Sequence, residues 1–210
     1  MLRPLHSNSQ KDPLIRNLPI HAEGLLLRLV TRADIGLLSE WPPYPWPHEV
    51  FRFSFSGQTA DDLDRVYDER LRDDCRITLV VDAAETPVIG YIALVEVDWV
   101  KGNAGNMSFR IHPDFCDQGI GSIVMSKVRD WWFGHGMNSL RLDVAATNHR
   151  AVRCYASAGF QRAGWFWREA HDLVGKDLSE QKYLFLGDHV NCNAAIPRIR
   201  FYWMEAKIAI

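Results

Sequence analysis

From residue 24 onward the chain alternates apolar runs with amphipathic stretches. Gly24 to Val30 reads as a strand, and Thr31-Arg32-Ala33-Asp34 as a capping box opening a short helix that Trp41-Pro42-Pro43 breaks. Four prolines between Pro42 and Pro47 keep the next segment extended. Thr59 begins a second helix, with Leu63, Val66, Tyr67 and Leu71 on one stripe and Asp61, Asp62, Asp64, Arg65 and Arg72 in water. Ile77 to Asp82, Val88 to Trp99 and Asn106 to Ile111 are separated by turn-forming residues and predict an antiparallel meander. Ile120, Ile123, Val124, Val128 and Trp131 then recur at the i, i+3, i+4 spacing of a buried helix face, until Gly134 and Gly136 end it.

Ser139 to Val144 adds a strand after that helix, so the pattern contains a βαβ step. It predicts an α+β fold: a twisted, mixed, mainly antiparallel sheet with helices on both faces. Gln161 to Ala170 and Gln181 to Leu186 read as a closing hairpin around a loop at His171 to Ser179. In the segment from Asn191 to Ile210, Ile199, Phe201, Trp203, Ile208 and Ile210 are too apolar for a solvated tail, and Pro197 stops a helix from running through. An added edge strand, on this or a neighbouring subunit, and packing across the core both remain open. The division expected is a tail over residues 1–22, one domain over 23–190 and an extension over 191–210.

Composition adds exclusions. A chain of 210 residues, 47% hydrophobic and 24% charged, buries one substantial core. A formal net charge of -2 without a basic tract argues against a nucleic-acid partner. No run approaches the roughly 18 apolar residues that span a membrane, and Met1 to Asn17 lacks the apolar centre of a signal peptide. Cys75, Cys116, Cys154 and Cys192 are far apart, and the eight histidines form no ligand-spaced cluster. A reduced cytoplasmic protein with no metal is the expectation.

The most informative stretch is Ile111 to Ser122, which joins a strand end to a Gly119-x-Gly121 turn and a helix start. Unpaired N–H groups and a partial positive charge make such a start an anion cradle, and glycines let a phosphate approach the backbone. A second block, Asn148, Ala151, Tyr155, Gly159 and Phe160, reads as a capped helix ending on a left-handed glycine.

Together these residues resemble the GNAT superfamily of acyl-CoA N-acyltransferases, which pairs a Q/R-x-x-G-x-G/A loop with an N-x-x-A-x-x-x-Y-x-x-x-G-F helix. The resemblance covers about Leu25 to Leu186. Leu27-Arg28-Leu29-Val30-Thr31-Arg32-Ala33-Asp34 is similar to the opening of the ribosomal-protein N-terminal acetyltransferase-like branch. It implies a GNAT-like sheet and transfer of an acetyl group from acetyl-CoA to a primary amine, by direct attack in a ternary complex. The acceptor is then a small molecule or a peptide or protein N-terminus, and a homodimer is possible. The implied cofactor-binding residues are Phe109, Arg110, Ile111, Gln118, Gly119, Ile120, Gly121, Ser122 and Asn148, with a β-bulge freeing the backbone of Phe109 to Ile111. Tyr155 is the candidate acid, since a phenol of pKa ~10 stays protonated near neutrality and can donate to a thiolate of pKa ~8.5.

Three departures bear on that reading. Cys116 stands where Gln or Arg is usual, Asp117 where glycine is common, and Asn106 where related enzymes often carry a basic Glu. Cys116 supplies no charged donor, Asp117 repels phosphate, and an amide takes no proton near neutrality. These keep a non-catalytic acyl-CoA-binding or interaction module as the alternative. Counting back from the turn places Glu96 opposite Phe109 as the expected base, acting directly or through water, with His112 second. Trp46, Phe53, Trp165 and Trp167 are expected to line the acceptor pocket, which suits an apolar or aromatic amine, or a peptide N-terminus, better than a polyamine. Tyr44, Phe51 and Phe55 would add to it, and Glu49, Asp61 or Glu169 would draw in the ammonium. A Rossmann enzyme is excluded because Val124 occupies the third glycine position.

Overall fold

The computed structural model describes residues 11–47, 57–71 and 73–208. Its strands are β1 (Ile20–Ala22), β2 (Leu25–Leu29), β3 (Ile77–Ala83), β4 (Thr86–Asp98), β5 (Asn103–Ile111), β6 (Ser139–Ala145), β7 (Gln161–Glu169), β8 (Val190–Asn191) and β9 (Arg198–Lys207). The helices are α1 (Lys11–Arg16), α2 (Arg32–Ser39), α3 (Ala60–Leu71), α4 (Ile120–Gly134) and α5 (His149–Ser157). The sheet order is β1-β2-β3-β4-β5-β6-β9-β7, with β8 also on β9. Pairing is antiparallel except between β5 and β6, among the described residues. This is the expected mainly antiparallel α+β sheet.

Helices cover both faces because the strands carry apolar side chains on both. Val124, Met125, Val128 and Trp132 of α4 pack with Leu79, Ile92, Leu94, Leu140 and Leu142. On the other face, Ile35 and Leu38 of α2 and Leu63 and Val66 of α3 meet Val80, Tyr91 and Ala93. Ile120 and Ile123 contribute less than the spacing predicts: they are half-buried, while Met125 and Trp132 are fully buried. The capping box forms as read, with Thr31 N and Oγ1 donating to Asp34 Oδ2 at 2.6 and 2.8 Å. Arg28 closes on the same carboxylate at 2.7 Å and on Asp82 at 2.7 Å, tying α2 to the sheet.

The ends of the chain differ from the sequence reading. Part of the expected tail is folded: Leu14 of α1 is fully buried and β1 pairs with β2. The C-terminal segment is not an edge strand. β9 lies between β6 and β7, pairing Ala145↔Phe201 through Ser139↔Lys207 on one side and Gln161↔Glu205 through Glu169↔Arg198 on the other. Its composition explains this position, since Ile199 and Phe201 are buried on one face and Met204 and Ala206 on the other. The expected partner strand at Gln181 to Leu186 is instead part of a 3₁₀ segment, Gln181–His189, kinked at Gly187. There Tyr183 and Leu186 are buried while Leu184 is 65% exposed, a period of three rather than two.

Candidate active site

The site begins where the sheet opens. β5 and β6 pair at Asn103↔Ser139 and Ala104↔Leu140 and nowhere further along. Beyond that point the β6-facing edge of β5 has no ladder partner among the described residues. This splay leaves backbone groups of Phe109 and Ile111 facing the opening, whereas the expected bulge there is absent: β4 and β5 stay in register from Val95↔Asn106 to Gly90↔Ile111. The ring of Tyr155, from α5, reaches the opening and meets that of Phe109 edge-on at 6.4 Å. Two cavities, of about 340 and about 300 Å³, open against this wedge. Both are lined by Phe109, Arg110, Ala151 and Tyr155.

The larger cavity runs to the start of α4 and is lined by Ile111, Gly119, Gly121, Ser122, Arg150, Arg153 and Cys154. Its two glycines do different work. Gly119 precedes the helix with φ +78, a left-handed conformation that other residues adopt at a cost. At Gly121 a Cβ would stand 3.0 Å from Cys154 Sγ and 3.5 Å from the Phe109 ring, so a side chain there would close the floor of the cavity. The Gly119 carbonyl takes the N–H groups of Ser122 and Ile123 at 3.0 and 3.3 Å, which leaves the earlier N–H groups of the turn as the donors for an anion. The Ser122 hydroxyl accepts from Ser157 Oγ at 2.9 Å. Gln118 and Ile120 do not line the cavity; the Gln118 amide is turned back to the Asp114 carbonyl at 2.9 Å. The Ile111 carbonyl accepts from the Tyr44 hydroxyl at 2.5 Å, leaving its N–H as the group of that residue to consider.

The departures in this loop acquire physical reasons. Asp117 has φ 62, so the position is left-handed, which suits glycine and is tolerated by aspartate. Its carboxylate is neutralised by Arg150 at 3.1 Å. Cys116 turns its thiol to the carbonyls of Ile111 and His112. With Asp117 paired and Arg150 and Arg153 lining the cavity, the argument from this loop against anion binding is lost.

Asn148 caps α5 as the motif predicts, accepting from Ala151 N at 3.2 Å, and also lines the smaller cavity. Tyr155 is buried, held between Phe109 and Phe160. Gly159 ends the helix at φ +89, and Arg129 Nη1 donates to the Ala158 carbonyl at 2.5 Å. Burial pushes the Cys154 thiol up, against the opposing pull of the Ser122 hydrogen bond and the Arg150 charge.

The expected base and most of the expected acceptor residues fall elsewhere. Ile92, not Glu96, is opposite Phe109. Glu96 is an exposed residue with φ 55, close against Gly105, and lines neither cavity. The turn takes fewer residues than expected, which moves the register toward it. His112 is wedged between Trp41 and Phe115, and its Nδ1 accepts from Asp114 N at 3.2 Å, so it serves the chain turn. Trp165 and Trp167 stack against Arg200, while Phe166 and Arg168, alternate on β7, meet Phe201, and of these two Arg168 lines the smaller cavity. Trp46 does not line that cavity but packs on Tyr183 and Phe185, of which Phe185 does. Glu49, Phe51, Phe53 and Phe55 lie outside the described residues.

The smaller cavity is polar where aromatic rings were expected. Arg76, Asn106, Ser108, Arg110, Asp143 and Arg168 line it. Asp143, largely buried, binds Arg168 at 2.9 Å and accepts from Asn106 Nδ2 at 3.3 Å. The signal for this strip was present in the sequence as the polar residues within Ser139 to Ala145, where Arg141 and Asp143 alternate with Leu140, Leu142 and Val144. The other polar residues of the strip come from the turn before β3, from β5 and from β7, which no local pattern brings together.

A mixed sheet splayed beside a Gly-x-Gly helix start, with a buried tyrosine where two cavities meet, defines an acyltransferase. The chain belongs to the Acetyltransferase (GNAT) family, whose model matches residues 37–160, more than half of its length. It is an acetyl-CoA-dependent N-acetyltransferase. Spermidine N(1)-acetyltransferase of Vibrio cholerae serotype O1 is 24% identical over 177 residues, covering 76% of this chain and 95% of that relative. The crystal structure of the Vibrio cholerae spermidine N-acetyltransferase in complex with CoA and spermine matches with a TM-score of 0.65 and 19% identity, over 88% of this chain and 95% of that one. A chimera of that enzyme matches at TM-score 0.61 and 20% identity, over 88% and 96%. The solved structures carry the fold, and the relatives bear the name of spermidine acetyltransferases, not that of the ribosomal-protein branch.

Proposed function

We propose that this chain acetylates the primary amine of a small molecule that enters through the smaller cavity, with acetyl-CoA in the larger one. The observation that carries the reading is that, among the described residues, both cavities touch Phe109, Arg110, Ala151 and Tyr155 and no other in common. In this reading the N–H groups before Ser122, with Arg150 and Arg153, hold the pyrophosphate. The backbone groups of Phe109 and Ile111 on the β6-facing side of β5 hold the pantetheine chain and donate to the carbonyl oxygen as charge develops on it. The amine attacks directly, and Tyr155 donates its phenolic proton to the departing thiolate. Among the described residues lining the acceptor cavity, Asp143 is the carboxylate, so the amine proton leaves to it or to water in the cavity.

A stabilising thermal shift with acetyl-CoA, followed by acceptor-dependent release of CoA thiol over a panel of primary amines, tests this function. A shift without release from any amine would leave a binding module instead. The similarity of Leu27 to Asp34 to the ribosomal-protein branch supports including peptide N-termini in that panel. The names of the relatives support including spermidine.

A further inference from the structure

The charge of the acceptor cavity points to a substrate that a polyamine does not resemble. Among its described lining residues are three guanidinium groups, Arg76, Arg110 and Arg168, and one carboxylate, Asp143, already bound to Arg168. Arg76 Nε is buried with no hydrogen-bond partner. A buried donor left unmatched is costly, and such a group in a cavity wall marks where a ligand supplies the acceptor. Asn106 and Ser108 add neutral hydrogen-bonding groups on the same wall. The cavity, about 300 Å³, suits a small molecule.

We propose that the acceptor is a small primary amine that also carries an anionic group, a carboxylate or a phosphate, and that Arg76 and Arg168 bind that group. The proposal rests on the acetyl-transfer reading above and specifies its substrate class. The anionic group gives the partnerless Arg76 Nε an acceptor and bonds to the guanidinium fork of Arg168, in the geometry that guanidinium favours for carboxylates and phosphates. The same positive field opposes protonation of the incoming amine, so the nucleophile is delivered neutral without a strong base. That matches a site in which Asn106 stands where a Glu is usual and Asp143 is occupied by an ion pair. A polyamine would bring further positive charges against these arginines.

Matched acceptors test this: β-alanine against its amide, phosphoethanolamine against ethanolamine, and spermidine as the polycation, each by acetyl-CoA-dependent thiol release. The acidic member of at least one pair should exceed its neutral partner at least tenfold in kcat/KM, and spermidine should be poorest. Which pair shows the preference separates carboxylate from phosphate. Arg76→Gln should lower the acid-to-neutral ratio at least fivefold, chiefly through KM, and move the acidic limb of the pH profile to higher pH because the amine regains its proton more readily. Arg168→Gln should lower the ratio similarly, with CoA affinity by calorimetry checking that the variant is folded. Preference for the neutral amines or for spermidine overturns the proposal while leaving acetyl transfer standing. No thiol release from any amine overturns both.

Discussion

Arg150 Nη1 lies 3.1 Å from Asp117 Oδ2, an ion pair that joins the start of α5 to the turn before α4. It turns the least favourable residue of the anion cradle into a neutral element beside a cation-lined cavity. Removing the arginine should therefore do more than delete a positive charge. Arg150→Gln exposes Asp117 to the pyrophosphate and should weaken CoA binding at least tenfold, ~1.4 kcal/mol, with most of the loss at low salt. Adding Asp117→Asn should restore part of it. Calorimetric titration at two salt concentrations checks both.

Gly121→Val should weaken CoA binding at least tenfold, about 1.4 kcal/mol, because its side chain meets Cys154 Sγ and the Phe109 ring rather than open space. Unchanged affinity would place the pyrophosphate elsewhere.

Tyr155→Phe keeps the ring that packs against Phe109 and Phe160. CoA affinity should hardly change while the acetylation rate falls by ~10²-fold or more, the scale of a lost general acid. Wild-type turnover with chemistry rate-limiting would make Tyr155 a packing residue.

Glu96→Gln should leave kcat within about twofold at all pH values, since an exposed side chain outside both cavities has no proton to take. A selective loss near neutral pH would reinstate it as the base.

Burial works against the charge on Asp34, yet its hydrogen bonds from Arg28 and Thr31 hold its carboxyl below the usual carboxylate range. A depressed folded-state pKa stabilises the fold above the ordinary carboxylate value of about 3.9, and that stabilisation is lost as pH falls through the folded value. Asp34→Asn should cost roughly 2–3 kcal/mol near neutrality, the scale of hydrogen bonds to a charged group. The difference in melting temperature from wild type should shrink in strong acid.

Helices α2, α3, α4 and α5 and the meander β3 to β5 were legible in the sequence because their signals are local. A capping box, an i, i+3, i+4 stripe or a glycine after the last turn acts within a few residues of itself. The same holds for the turn at Gly119 and for the capped helix frame of Asn148, Ala151 and Tyr155, whose signals lie within one continuous stretch each.

What tertiary structure decided depends on which strands become neighbours. The sequence shows that Ile199 to Ala206 is apolar on both faces, but its place between β6 and β7 follows from pairing with segments distant in the chain, Ser139 to Ala145 and Gln161 to Glu169. Likewise, the departure of β6 from β5 beyond Ala104 creates the opening at Phe109, and no residue in either strand signals it alone. Arg76 comes from the turn before β3, and Asn106, Asp143 and Arg168 from three strands; they meet only because the sheet order aligns them. Of the aromatic residues expected around the acceptor, Trp165 and Trp167 stack on Arg200 and Trp46 packs on Tyr183 and Phe185 instead. Charge at that site is thus a property of the assembled sheet face, whereas the cradle is a property of one continuous stretch of chain.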